Sequence, residues 1–244
     1  MTHTCTPQRL APDLAEGHLA LARYFDIGTL DFARAQQEYE RAVALAPGNA
    51  LGLSLYGRFV ASMGGADAGV AAARRAVVLD PLNPSTHGQL SFTLSSARRY
   101  GEAVAASQDA LAIDPDYQPA YGYRGIAYYV LGDLQSARTG CEIKPDYWGS
   151  QLCLAVVYER LGRHADAEAM LAKIRAANGD DAAYQYGQIY AQWGDALKAL
   201  GWLETALRMR DPGLGGMKTD PLLDPLRKEP RSQAIERQLK FPYN

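Results

Sequence analysis

Between residues 14 and 211, apolar residues recur at helical spacing in short segments broken by polar or glycine-bearing turns. The segments come in pairs. In the first member of a pair, a small residue precedes a large one by three places: Gly57 and Val60, Ser91 and Leu94, Gly125 and Tyr128, Ala155 and Tyr158, Gly187 and Tyr190. That spacing puts both on one helical face. A turn follows (MGGAD, ARRYG, VLGDL, RLGRH, QWGDA), and the second member carries another small residue early: Ala35, Gly69, Ala103, Ala137, Ala167 or Ala199. Small residues at fixed places predict close approach of the two helices, with the large ones filling the gap beside them. The first pair departs from the pattern. Leu21 stands at its small position, Tyr24 at its large one, and its turn, IGTLDFA, carries extra residues.

Prolines punctuate the pairs. Pro47, Pro81 and Pro115 lie 34 residues apart and end the second helices, because proline cannot donate the next helical hydrogen bond. Pro145 arrives four residues early. Four residues make about 1.1 turns of helix, so the apolar face stays nearly in phase. The expectation is a shortened helix at ARTGCEIKPDYW, with Trp148 filling the space of the missing turn and a local bend of the array.

A helix–turn–helix unit with this period and this Gly…Tyr…Ala…Ala…Pro skeleton resembles the tetratricopeptide repeat. The resemblance implies an all-α fold: a right-handed α-solenoid of about six units with a short C-terminal capping segment. The units are expected near 14–49, 50–83, 84–117, 118–147, 148–179 and 180–211, after a flexible segment 1–13 and before a cap over 212–244. In the tail, Pro221, Pro225 and Pro230 break any long helix, and RSQAIERQLKF reads as a short amphipathic helix lying on the last unit. The stretch KTDPLLDPLRKEPR resembles the end of tetratricopeptide regions in bacterial multidomain regulators with cyclase, winged-helix or TolB-like parts. There an aromatic residue usually stands where this chain has Ser232. That resemblance implies a regulatory, protein-binding part.

Composition narrows the function. The net charge of −2 gives no basic excess for nucleic acid. No apolar run is long enough to span a bilayer, and the first residues have no apolar core of a leader, so a cytoplasmic location is expected. The cysteines (Cys5, Cys141, Cys153) are odd in number and form no CxxC pair; a reducing compartment without disulfides is expected, with Cys141 and Cys153 as small buried hydrophobes. No phosphate-binding loop, HExxH or GxSxG occurs, and the four histidines lack partners at ligand spacing. The expectation is therefore no metal, no cofactor and no enzyme.

What remains is the concave groove, built mainly from first helices. Tetratricopeptide positions carried onto this chain give His18 and Asp26; Ser54 and Arg58; Gln89, Phe92, Ser95 and Ser96; Tyr123, Ile126 and Tyr129; Leu152, Val156, Glu159 and Arg160; then Tyr184, Gln188 and Gln192. Arg58, Gln89, Phe92, Tyr123, Ile126, Tyr129, Val156, Glu159, Gln188 and Gln192 are the candidate partner-binding residues. The lining lacks the paired Lys and Asn used for acidic tails of chaperones and suits a peptide with apolar and aromatic side chains. A scaffold binding a protein or peptide partner is the leading expectation. The alternatives are a detached regulatory module that self-associates or docks on a regulator, and a small-molecule or catalytic pocket in the groove.

Overall fold

A computed structural model describes residues 14–243. It is all-helical, with thirteen α-helices among the described residues: α1 Ala15–Arg23, α2 Phe32–Leu45, α3 Ala50–Ser62, α4 Ala66–Leu79, α5 Pro84–Ser96, α6 Tyr100–Ile113, α7 Gln118–Leu131, α8 Leu134–Glu142, α9 Trp148–Arg160, α10 His164–Asn178, α11 Ala183–Gln192, α12 Ala196–Met209 and α13 Pro230–Leu239. Helices α1–α12 pack as six sequential pairs, and inner helices stack on the next inner helix: α3 on α5, α5 on α7, α7 on α9, α9 on α11. This is an α-solenoid of helix–turn–helix units.

Local chemistry sets the helix ends. Asp31, Asn49, Asn83, Asp133 and Asp195 cap helices by accepting a backbone N–H with their side chains. The turn inside each unit needs one left-handed residue. Glycine supplies it at Gly64, Gly132, Gly162 and Gly194, while the third unit uses Arg98 at φ 63° and the first uses Leu30 at φ 55°. The small-residue code works as close packing. A Cβ on Gly57 would lie 2.7 Å from the Gly69 carbonyl oxygen, and one on Gly69 would lie 2.6 Å from the Gly57 oxygen. Where Ser91 replaces glycine, its hydroxyl donates to the Ala103 carbonyl at 2.8 Å and lies 2.7 Å from the Ser107 hydroxyl.

The first unit differs in register. Residues Tyr24–Thr29 form a π-helical turn that absorbs the extra residues. The packing pair is shifted by one place from the expectation: Ala22 is fully buried and Phe25 packs on the core, while Tyr24 is 58% exposed.

The fourth unit has the short second helix: α8 has 9 residues against 14 in α4, α6 and α12. Trp148 does not fill the gap. It opens α9 and is 51% exposed, because the neighbouring Tyr147 ring takes the inward place, where it would collide with a Cβ on Gly149 at 2.6 Å. The cysteine expectation is corrected as well. Cys141 and Cys153 are fully buried, but their sulfurs are bonded as a disulfide between the end of α8 and α9. The short helix brings the two Cα atoms to 6.5 Å, a reach that twelve residues of sequence separation do not reveal.

The tail does more than lie on the last unit. Helix α13 does pack on α12, where Arg231 donates twice to Glu204 at 2.8 and 2.9 Å. But the 3₁₀ turn Pro212–Gly216 lies against the π-turn of the first unit, and the 3₁₀ turn Pro221–Leu226 lies along α11. Leu214, Met217, Leu222, Leu223 and Leu226 are all buried. Phe241 then stacks on Phe32 of the first unit, with ring centroids 5.3 Å apart and planes at 8°. Gln36 donates to the Tyr243 hydroxyl at 3.2 Å. The chain thus crosses its own concave side from the sixth unit to the first. Burial of apolar side chains, at about 25 cal/mol per Å², drives this path.

Candidate functional site

The concave side divides into a filled half and an open half. In the filled half, Asp220 from the tail accepts from the Tyr184 hydroxyl at 2.7 Å, from Gln188 Nε2 at 2.6 Å and from the Leu222 N–H at 2.9 Å. Burial raises its carboxyl pKa, and these donors offset part of that rise. Gln192 donates to the Leu222 carbonyl at 2.5 Å and accepts from the Tyr129 hydroxyl at 2.7 Å. Arg227 ties the tail to itself by donating to the Met217 and Asp220 carbonyls and to Glu236. Gly213 is needed where the tail enters, since a Cβ there would lie 2.4 Å from the Tyr184 ring. Arg98 pairs with Asp224 and anchors the tail on the third unit.

The open half is a chamber of about 380 Å³. Its walls come from all units and the tail, including Asp26, Tyr39, Arg58, Phe92, Tyr123, Ile126, Tyr147, Trp148, Leu152, Tyr184 and Asp220. The Arg58 guanidinium lies 4.5 Å from the centroid of the Phe92 ring, a cation–π contact. Tyr123 meets Phe92 edge-on, with centroids 5.6 Å apart. Asp26 rides on the π-turn and accepts from the Tyr39 hydroxyl at 3.3 Å. Burial pushes the Asp26 carboxyl up to about 6, against the lowering influence of Arg58 and Tyr39.

The predicted residues separate accordingly. Arg58, Phe92, Tyr123, Ile126 and Gln188 line the chamber. Tyr129, Gln188 and Gln192 are held in hydrogen bonds that link the inner wall to the tail, directly or through one another. Val156 is fully buried in the main core. Glu159 faces its neighbour His164, with Oε2 2.8 Å from Nδ1. Gln89 is half-buried, its side-chain oxygen buried without a partner. Position counting missed Tyr39, Tyr147, Trp148 and the tail residues. The only signal for Tyr147 and Trp148 was the early proline, and for the tail the aspartates preceding Pro212, Pro221 and Pro225.

The tetratricopeptide repeat profile matches residues 152–213. The inactive TPR repeat-containing thioredoxin TTL3 of Arabidopsis thaliana is 34% identical over 64 residues, which is 26% of this chain and 9% of that protein. The chain spans about a tenth of the length of the curated relatives it matches. Among solved structures, PilW, a type IV pilus biogenesis factor, is similar with a TM-score of 0.58 at 20% identity, over 80% of this chain and 92% of that one. A thermophilic TPR protein of Thermus thermophilus is similar with a TM-score of 0.58 at 20% identity, over 79% and 99%. These likenesses define the class of the fold: residues 152–213 match the tetratricopeptide repeat profile, and the described chain shares the α-solenoid fold of these solved structures.

Proposed function

We propose that the protein is a non-catalytic interaction module that binds a partner protein through the open concave wall of its second to fourth units. Tetratricopeptide domains in general bind protein or peptide partners, which supports the class. One observation carries the location. The inner helix of the sixth unit is bound by the chain's own tail through Tyr184, Gln188 and Gln192, whereas Arg58, Phe92, Tyr123 and Ile126 line the chamber beside it. Aromatic side chains backed by an arginine are the usual anchors of binding energy at such surfaces. The partner segment is short, because the tail blocks an extended path along the whole groove. The test compares a partner recovered by the native protein with recovery by Phe92→Ala/Tyr123→Ala. Loss with that variant, and retention with the distant Glu159→Ala, supports the reading; equal recovery with both defeats it.

A second reading is a regulatory or assembly part that docks on a separately made cyclase or transcription regulator, or on a second copy. It is supported by the tail, whose KTDPLLDPLRKEPR stretch is the segment that fills the groove. Sedimentation of the protein alone and with such a regulator separates the readings: a strict monomer that binds no regulator counts against this one.

A further inference from the structure

The open chamber has a chemistry more specific than an apolar groove. Its polar centre is Arg58, whose guanidinium lies over the Phe92 ring. Among the described residues no carboxylate forms an ion pair with Arg58; Asp26 acts on it only through its field. Tyr123 and Tyr147 line the same chamber. Tyr123 lies edge-on to Phe92. Tyr147 precedes α9 at the shortened unit. A guanidinium beside hydroxyl donors is an acceptor-binding arrangement, and the two carboxyls on the chamber wall are engaged elsewhere, Asp26 by the Tyr39 hydroxyl and Asp220 by Tyr184 and Gln188. Next to it the walls turn apolar at Ile126, Leu152 and Trp148.

We propose that the chamber is a site for a small organic anion, with one carboxylate seated on Arg58 beside Tyr123 and Tyr147, and a compact apolar or aromatic body against Ile126, Leu152 and Trp148. The volume of about 380 Å³ is at the small end of ordinary ligand sites, which run roughly from 300 to 1,000 Å³. The tail closes the side through which a longer chain would continue. The shortened fourth unit has a role here: the early Pro145 brings Tyr147 and Trp148 to the wall. This inference shares its wall with the interaction reading above and names a small ligand for it.

The test titrates the full-length protein with 3-phenylpropionate and with the uncharged 3-phenylpropanamide, by calorimetry. The acid is expected to bind and the amide to bind at least about tenfold more weakly, the size of one charge-assisted contact. Arg58→Gln should bring the acid down to the level of the amide, and Tyr147→Phe should weaken it about threefold. Circular dichroism melts verify that both variants are folded. Equal binding of acid and amide, full affinity in both variants, or no binding of either probe overturns the proposal. Partner recovery is read separately. Probe failure with a retained partner removes only the small-anion site, and probe binding with no Phe92- and Tyr123-dependent partner removes only the interaction reading.

Discussion

The two halves of the concave side are built from equivalent repeat positions, yet they do opposite things. At the sixth unit the inner-helix polar groups Gln188 and Gln192 are spent on the protein's own tail. At the second to fourth units the equivalent surface carries Arg58, Phe92 and Tyr123, which face a chamber that the tail borders through Thr219, Asp220 and Pro221. Repeat position alone therefore does not say whether a groove residue is available. Availability is decided by what else the chain lays across it.

The largest expected effect comes from breaking the filled half. Leu222→Asp puts a charge at a site that is 1% exposed, and should cost about 3–5 kcal/mol in urea unfolding. Tyr123→Ala in the open half should cost only about 1 kcal/mol, since it loses one ring contact and little core. Comparable losses for both would erase the distinction between the halves.

Next is the cystine beside the boundary of the halves. Closing a loop of this length stabilises by about 3 kcal/mol in the chain-entropy account. Cys141→Ala/Cys153→Ala, compared with the oxidised native chain by urea unfolding, should show a loss near that size. Treatment with a thiol reductant should lower the native protein alone. An unchanged midpoint on reduction would mean that the two sulfurs are simply buried thiols in solution.

The open half also has a pH signature. Asp26 has its folded pKa raised from 3.8 to about 6. The unfolded chain then gives up this proton at lower pH than the folded one. The associated stability is full below about pH 4 and is lost as pH rises through about 6. Asp220 contributes with the same sign. Asp26→Asn should flatten part of the pH 4–7 slope and raise stability at pH 7 by about 1–3 kcal/mol. Stability that instead rises over this range would contradict the burial of Asp26.

The smallest effect is expected where the tail meets the third unit. Arg98→Gly relieves a left-handed backbone worth about 1 kcal/mol and loses an exposed ion pair worth at most about 1 kcal/mol, so it should be close to neutral. Arg98→Ala keeps the strain and loses the pair, and should cost up to about 1 kcal/mol in the same urea assay.

The six helix pairs, the proline-marked ends of their second helices and their tight crossings were legible in the sequence. They depend on near neighbours: small residues at a fixed spacing and prolines at a fixed period; the capping aspartates and asparagines emerged only with the structure. Even the short fourth unit announced itself through Pro145. The first unit was misread by one place because a π-turn has no signature in spacing. The candidate site was legible only as a set of positions. That Arg58, Phe92 and Tyr123 stay open while Gln188 and Gln192 are covered depends on contacts such as Gln188 with Asp220 and Phe32 with Phe241. These join residues far apart along the chain and were settled only in three dimensions, because burial of Leu222, Leu223 and Leu226 outweighs anything the local sequence prefers.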